Sequence, residues 1–379
     1  MKKKRWFCSL VAVFLVLSGF LIAGCGTKEP GVIKVGIVMT MSGPAAKVGT
    51  NVADGIKIAI KHWNDKGGVT VGGRQYIIEL VEYDSAMEPE QGVSATRKLI
   101  EQDQVLVMFG DCISTVCLAQ KPIIEAAGIP WITLGAHPDL TQDRKYTFRS
   151  NGLASEVTSQ QVQQLIKDQG VTKWSLLAEE AALSLQVVEV LAPAIEQAGG
   201  TVLTKDTFPP GTVDFYPLLT KLKKAAPEVV NIQGSGDAVT ILKQANEIGF
   251  KPQWMVSTQV PINQLIEQIG GELTAGVWQI VMYDPESDRA SIKVFNEETE
   301  AYLGRLPSLL ETLGYEGAMR MFMAIELANS LDRDKIVEAL YQVDWDGVYF
   351  VGKYHANGEG TVGATTMQMT AEGTYARIE

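Results

Sequence analysis

The stretch Val32-Ile33-Lys34-Val35-Gly36-Ile37-Val38-Met39 decides the fold class of this chain. It is rich in β-branched residues and carries one charge, which is typical of a strand buried on both faces of a parallel sheet. A Ser-Gly-Pro turn at 42–44 follows it, and the next segment is predicted to be a helix that ends at Gly67-Gly68. The apolar residues of that helix fall on one stripe, which comprises Val48, Val52, Ile56, Ala59, Ile60 and Trp63. Strand and helix together form the βα unit of doubly wound α/β folds.

The βα unit recurs along most of the chain. A first series of strands and helices runs to a connector near 146–150, and a second series continues to Ser257. Two successive series predict two doubly wound domains rather than one very large sheet. The C-terminal third adds a strand at 275–283, three helices and two short strands, which we assign to the same two domains. Since ligands of such sheets bind beyond the carboxyl ends of the strands, the cleft between the domains is the predicted site.

The N-terminus predicts export. Met1-Lys2-Lys3-Lys4-Arg5 is basic, an apolar stretch runs from Trp6 to Ile22, and small residues lead to Cys25. Three such parts in this order make up a signal peptide. Leu21-Ile22-Ala23-Gly24-Cys25 also resembles the bacterial lipobox, which implies that residues 1–24 are removed and that Cys25 is lipidated. The expected product is an extracytoplasmic protein anchored to the bacterial cell membrane by its lipid, and an uncleaved signal anchor is the alternative.

The charge of the chain excludes one class of partner. The formal net charge is −11, and removal of the signal peptide takes away four further basic residues. An acidic body lacks the clustered Lys and Arg that nucleic-acid binding requires. We therefore expect no nucleic-acid partner. Contact with the membrane only through the lipid anchor and a monomer in solution are separate expectations.

The sequence carries no motif of a nucleotide site or of a hydrolase. Thr40-Met41-Ser42-Gly43, which follows the first strand, does not match Gly-x-Gly-x-x-Gly, and neither a Walker Lys-Ser/Thr run nor a Gly-x-Ser-x-Gly elbow occurs. Gly234-Ser235-Gly236-Asp237 lacks the third glycine and is interpreted as a turn with a helix cap. The carboxylate pairs Glu179-Glu180 and Glu297-Glu298 are interpreted as solvated helix starts or faces. These patterns predict neither a cofactor nor catalysis.

Two cysteines remain in the body of the chain, at Cys112 and Cys117. Export permits a disulfide, but a spacing of five across a loop-to-helix junction leaves the bridged and the free forms both open. A Cys-x4-Cys pair without nearby paired ligands is not a metal signature. The three histidines are far apart in the sequence, so no metal site is expected: they are His62, His137 and His355.

The segment Gly110-Asp111-Cys112-Ile113-Ser114-Thr115 ends an apolar strand and opens a predicted helix over 115–127. Ser114 is predicted to be the N-cap, because its side-chain oxygen can accept a backbone N–H of the first turn. The free N–H groups and the positive end of the helix dipole suit an anion such as a carboxylate. A plain cap that faces solvent is the alternative, and the residues alone favour neither.

The chain resembles the leucine/isoleucine/valine-binding proteins, which are the type I periplasmic substrate-binding proteins of hydrophobic amino acid ABC importers. The resemblance covers nearly the whole mature chain and rests on the order and spacing of nine segments. They are Ile33-Lys34-Val35-Gly36-Ile37, Ser42-Gly43-Pro44-Ala45, Asn64-Asp65-Lys66-Gly67-Gly68-Val69, Tyr83-Asp84-Ser85, Gly110 to Ser114, Gly128-Ile129-Pro130, Thr212-Val213-Asp214-Phe215, Leu242-Lys243-Gln244-Ala245 and Leu313-Gly314-Tyr315-Glu316-Gly317-Ala318.

The resemblance implies an α/β fold of two doubly wound parallel-sheet lobes, joined by three crossovers, with the ligand cleft between them. We place the N-terminal lobe at 31–150 plus 284–354 and the C-terminal lobe at 151–283 plus 355–379, with crossovers near residues 150, 283 and 355. Ligand binding would stabilise a closed form of the two lobes.

The resemblance also implies which residues bind the ligand. The serine that begins the helix after the third strand binds the ligand carboxylate and corresponds to Ser114, with Thr115 beside it. The end of the next strand contacts the ligand through its backbone and corresponds to Gly135 and Ala136. Several positions depart from the family: His137 replaces a threonine, Val48 an aromatic residue, Leu183 and Gln233 two tyrosines, and Thr258 or Gln259 the acidic residue that pairs with the ligand ammonium.

These features predict the solute receptor of an ABC importer, which captures a small carboxylate and delivers it to the permease. Without an acid near Thr258, a buried ligand ammonium would be unpaired at a cost of several kcal/mol, so we favour a small aromatic or branched organic acid over an amino acid. His137 adds a donor whose charge depends on pH. One alternative is a chemosensory receptor, although such a receptor is normally followed by a membrane span and a signalling module, whereas the chain ends at Glu379. The other is an exported enzyme, for which the sequence has no nucleophile–base pair.

Overall fold

The computed structural model describes residues 29–234, 238–256, 268–370, 372 and 374–378. Its strands fall into two large sheets and one hairpin. In chain order they are β1 Gly31–Met39, β2 Val69–Val71, β3 Arg74–Asp84, β4 Val107–Phe109, β5 Trp131–Thr133, β6 Thr147–Arg149, β7 Lys173–Glu179, β8 Thr201–Phe208, β9 Val229–Gln233, β10 Gln253–Val256, β11 Trp278–Val281, β12 Phe350–Tyr354, β13 Gly360–Val362, β14 Thr365–Met369 and β15 Tyr375–Arg377.

Helices connect most of the parallel strands. In chain order they are α1 Ala46–Asp65, α2 Pro89–Lys98, α3 Ser114–Ala127, α4 Ala154–Gln169, α5 Ala182–Gln197, α6 Tyr216–Ala225, α7 Ala238–Glu247, α8 Gly271–Thr274, α9 Ala290–Leu303, α10 Leu309–Ala328 and α11 Arg333–Leu340. Among the described residues, no helix is both long enough and apolar enough to cross a bilayer.

The first lobe is built on a sheet with the strand order β2-β3-β1-β4-β5-β6. All neighbouring strands run parallel except β2 and β3. Ile37 on β1 packs into one hydrophobic core, whereas the adjacent Val38 packs into a second core on the opposite face. The opening strand is therefore buried on both faces, as its composition predicts.

The second lobe is built on a sheet with the strand order β15-β14-β11-β10-β9-β7-β8. Strands β7 to β11 are parallel, and β14 and β15 add an antiparallel edge. Successive residues of β9 again alternate between two cores, with Val229 in one and Val230 in the other. The predicted α/β class with two doubly wound lobes is confirmed.

The C-terminal third returns to the first lobe through α10, which packs on α1. The contact is so close that a Cβ atom at Gly55 would lie 2.0 Å from the carbonyl oxygen of Glu311, and one at Gly314 would lie 2.0 Å from that of Val52. Only glycine permits two helix backbones to approach this closely. The two glycines therefore attach a helix from residue 309 onward to a helix that begins at residue 46.

The chain passes between the lobes after β6, after β11 and between β13 and β14. The predicted lobe boundary at residues 354 and 355 falls inside the β12–β13 hairpin. Val362 at the end of β13 still packs in the core of the first lobe, and Thr365 opens β14 in the second sheet. We therefore place the third crossover at 363–364.

Candidate ligand-binding site

A buried carboxylate organises the edge of the first sheet where β1, β3 and β4 end. Asp111 is fully buried, and its Oδ1 accepts hydrogen bonds from the backbone N–H groups of Cys112 at 2.6 Å and Ile113 at 3.0 Å. The hydroxyl of Thr40 also donates to the carboxylate, at 3.1 Å to Oδ1, and the hydroxyl of Ser85 donates to Oδ2. Since a buried charge is tolerated only when it is hydrogen-bonded, this network fixes the loop that leads into α3.

Ser114 is the first helical residue of α3, so its prediction as the N-cap is wrong by one position. The N-cap is Ile113, which has extended backbone angles and an apolar side chain that cannot cap the helix. The side-chain oxygen of Ser114 instead accepts a hydrogen bond from the backbone N–H of Ala136 at 3.2 Å. A serine hydroxyl can accept and donate at once, so the proton of the Ser114 hydroxyl can still be donated to a second partner. Thr115 is exposed in the same first turn.

The loop after β5 brings the other predicted first-lobe residues to Ser114. A Cβ atom at Gly135 would lie 2.8 Å from Leu140 Cδ1 and 3.3 Å from the Cα of Ser114, so a side chain would be crowded there. The next residues are Ala136, which bonds Ser114, and His137, whose side chain is 45% exposed. The Nδ1 atom of His137 accepts a hydrogen bond from the backbone N–H of Asp139 at 3.3 Å. This arrangement leaves the imidazole at the rim of the site.

Val48 lies in the first turn of α1, and its side chain is 37% exposed. A short aliphatic residue therefore stands where the family resemblance implies a covering aromatic ring. No cluster of His, Cys, Asp and Glu among the described residues is arranged to hold a metal ion.

Both cysteines next to the site are free thiols in the structure, so the bridge that the sequence left open is not formed. Cys117 is fully buried under Gly135, and its Sγ donates a hydrogen bond to the carbonyl oxygen of Asp111 at 3.0 Å. Burial raises the pKa of Cys117 to about 12. Burial also raises the pKa of Cys112, and the charge of Asp111 adds to this effect. Thiols with raised pKa values are weak nucleophiles at neutral pH.

The predicted second-lobe residues are only partly described. Gln233 is the last residue of β9, is 4% exposed, and donates from its side-chain amide to Asn231 Oδ1 at 2.8 Å. Its side chain therefore lies in the interior of the second lobe rather than on its surface. The side chain of Leu183, and Thr258 and Gln259, lie outside the described residues.

One second-lobe carboxylate, that of Glu179, is buried although the sequence pattern predicts that it is solvated. The interpretation of Glu179-Glu180 as a solvated pair holds for Glu180, which is exposed and accepts a hydrogen bond from Thr207 Oγ1 at 3.0 Å. It is wrong for Glu179, which is the last residue of β7 and only 7% exposed. Its neighbour in β7, Ala178, pairs with Gln233 of β9. A buried carboxylate thus stands at the carboxyl ends of the second-lobe strands, where ligands of such sheets bind.

The comparisons with known proteins match nearly the whole chain. The family model described as periplasmic binding protein matches residues 32–374. The Leu/Ile/Val-binding protein homolog 8 of Brucella abortus (strain 2308) is 28% identical over 329 residues, which cover 82% of this chain and 80% of that protein.

Solved structures agree with the sequence matches. An ABC transporter substrate-binding protein from Sphaerobacter thermophilus has a TM-score of 0.72 and 27% identity, and the alignment covers 92% of this chain and 96% of that one. A leucine-binding protein from Thermotoga maritima has a TM-score of 0.64 and 26% identity, with 92% and 98% covered.

Proposed function

Because the chain belongs to the periplasmic binding protein family, we propose that it is the extracytoplasmic receptor of an ABC importer and binds a small hydrophobic carboxylate between its two lobes. The observation that carries the proposal is the contact between Ser114 and Ala136, which joins the start of α3 to the loop after β5. The ligand carboxylate accepts hydrogen bonds from the Ser114 hydroxyl and from the backbone N–H groups of the first turn of α3, whose dipole favours an anion.

We assign the ligand to the hydrophobic α-amino acids, with the ammonium group paired to Glu179. The buried carboxylate of Glu179 supplies the anionic partner that a desolvated ammonium requires. The name of the Brucella relative refers to leucine, isoleucine and valine and that of the Thermotoga protein to leucine, and both support the same class. A small organic acid is the second candidate, because Thr258 and Gln259 stand where the family resemblance implies an acidic residue.

The receptor works without catalysis. Closure of the two lobes around the ligand is favoured only by contacts that both lobes make with it. Micromolar affinity, equivalent to about −8 kcal/mol, is sufficient for capture and still allows release to the permease. Cys25, which lies outside the described residues, carries the lipid that keeps the receptor at the membrane.

The proposal is tested by calorimetric titration of a form that begins after Cys25, with leucine and with the 2-keto acid of the same carbon skeleton. These two ligands share a carboxylate and a side chain and differ at the ammonium. We expect leucine to bind with a Kd on the order of 1 µM and the keto acid to bind at least about tenfold more weakly. Tighter binding of the keto acid would support the organic-acid candidate, and binding of neither ligand would contradict both.

Two variants test whether Glu179 contacts the ammonium group of the ligand. Glu179→Gln should weaken leucine about 10- to 100-fold and leave the keto acid nearly unchanged, because it removes one charge partner of the ammonium. Glu180→Gln is the matched control, since Glu180 is the adjacent glutamate and is exposed. An equal loss of affinity in both variants would show that Glu179 does not contact the ligand.

A further inference from the structure

Glu359 lies in the turn of the β12–β13 hairpin and reaches the loop that carries Ala136 and His137. One residue after Glu359 the strand β13 begins, and the chain then crosses to the second lobe. The Oε1 atom of Glu359 accepts hydrogen bonds from the guanidinium of Arg149 and from the hydroxyl of Thr141 at 2.5 Å. The Arg149 side chain is 1% exposed and that of Glu359 is 12% exposed. The pair is therefore largely withdrawn from solvent, where a charge-assisted hydrogen bond is strong.

The guanidinium of Arg149 connects this pair to the candidate site. Its Nη1 donates to the carbonyl oxygen of His137 at 3.0 Å and lies 3.4 Å from that of Ala136, while its Nη2 bonds Glu359. The Ala136 residue is thus held on two sides, by Ser114 at its N–H and by Arg149 at its carbonyl. A planar guanidinium can hold all three oxygens at once, whereas a lysine ammonium presents no such fork.

The hairpin that carries Glu359 is itself fixed to the first lobe. Arg320 of α10 donates to the carbonyl oxygen of Gly352 at 2.8 Å, and the backbone N–H of Arg149 donates to that of Gly358 at 3.0 Å. Its far end, Val362, is followed within three residues by β14 of the second lobe. The β12–β13 hairpin therefore contacts Arg149, which holds the loop that carries Ala136 and His137, and it leads into the third crossover.

We infer that Glu359 and Arg149 are positioning residues for ligand binding: they fix the loop 134–141 through hydrogen bonds and connect it to the third crossover. The inference rests on the proposed function, since that loop is the one assigned to the ligand. Glu359 orients the guanidinium, and the guanidinium orients the carbonyls of Ala136 and His137, which sets the direction of the Ala136 N–H toward Ser114.

Hydrogen exchange measured by mass spectrometry on the ligand-free protein tests the inference without knowledge of the ligand. In Glu359→Gln, amides of the segment 134–141 should exchange on the order of tenfold faster, because the loop opens locally without its charged support. Asp206→Asn is the matched control: the Asp206 side chain is 7% exposed and pairs with Lys221 on the second lobe. The control should leave the exchange of 134–141 unchanged.

Arg149→Lys distinguishes a role in positioning the loop 134–141 from a role in the stability of the whole protein. The lysine keeps the charge but cannot hold Glu359 and two carbonyls together, so exchange in 134–141 should rise by a larger factor than exchange in the second lobe, which a global loss of stability alone would not produce. Unaltered exchange of 134–141 in both variants would overturn the inference, and so would an equal acceleration over all segments. Either result would leave the leucine titration, and hence the proposed function, unaffected.

Discussion

The side chain of Ser114, in the first turn of α3, and the backbone of Ala136, in the loop after β5, are joined by a hydrogen bond of 3.2 Å although the two residues are 22 positions apart. The acceptor role of the hydroxyl is filled by the Ala136 N–H, and in the proposed complex its donor role is directed to the ligand carboxylate. The bond thus fixes the position of the Ala136 backbone and leaves the hydroxyl proton for the proposed ligand. An alanine at 114 would remove both contributions at once.

Ser114→Ala should weaken the binding of leucine about 10- to 100-fold, because a hydrogen bond from a neutral donor to a charged group contributes about 1.5–3 kcal/mol. The thermal unfolding midpoint should change little, since the substitution removes a single hydrogen bond within the protein, at a partly buried residue. Calorimetric titration measures the affinity. Ser94→Ala is the control, because Ser94 is an exposed serine on α2. Equal affinity of the two variants would show that the carboxylate binds elsewhere.

The fold could be predicted from local pattern because the pattern repeats. The opening strand is buried on both faces, which its β-branched composition already indicates. The return of α10 to α1 could not be seen in this way. Gly55 and Gly314 are unremarkable glycines in two helical patterns, and only the packed structure shows that each lies against the other helix's backbone.

The candidate site was predictable in its position but not in its contacts. Ser114 is predicted as a carboxylate ligand from its place at a helix N-terminus and from the family resemblance, but its bond to Ala136 depends on where the helix begins, and helix ends shift easily by one residue. The burial of Glu179 depends on β7 continuing past Ala178. Arg149 and Glu359 are 210 residues apart, and no local pattern relates residues at that separation.

Asp111→Ala should lower the free energy of unfolding by about 3 kcal/mol, because it leaves buried donors without an acceptor. The N–H groups of Cys112 and Ile113 lose their acceptor, and the hydroxyls of Thr40 and Ser85 keep only the bond to each other. Urea unfolding followed by circular dichroism measures the change. Asp139→Ala is the control, since the side chain of Asp139 is 60% exposed, and it should cost less than about 0.5 kcal/mol. Similar costs for both variants would contradict the role of Asp111 as the centre of the network.

Neither Cys112 nor Cys117 should react with iodoacetamide in the folded protein within minutes. With a pKa of about 12, Cys117 has about one molecule in ten thousand as thiolate at about pH 8. Mass spectrometry of a form that begins after Cys25 gives the extent of alkylation. The same protein in denaturant is the control, and both thiols should react there. Rapid alkylation of either thiol before unfolding would show that the loop after β4 opens more readily than its hydrogen bonds indicate.

Asp84 should make stability depend on acid pH. Partial burial raises its pKa, but hydrogen bonds from the Ser42 hydroxyl and from the N–H groups of Met41 at 2.8 Å and Ala86 at 2.7 Å outweigh this and lower the pKa below its usual value. A carboxyl whose pKa is lower in the folded state than in the unfolded state stabilises the fold at pH values above the unfolded-state pKa. This stabilisation is lost as the pH falls through the folded-state pKa. Because Asp84 is exposed, we expect about 0.5 kcal/mol, or about 1–2 °C in the unfolding midpoint.

The measurement is the difference in unfolding midpoint between the unchanged protein and Asp84→Asn from about pH 6 to about pH 3. This difference should vanish toward the acid end, because both proteins are then neutral at position 84. Ser42→Ala keeps the carboxylate but removes one donor to it. It should therefore raise the pKa of Asp84 toward its usual value and move the loss of stability to higher pH. A difference that stays constant over the whole range would mean that the loops at Met41 and Ala86 are held together by something other than the charge of Asp84.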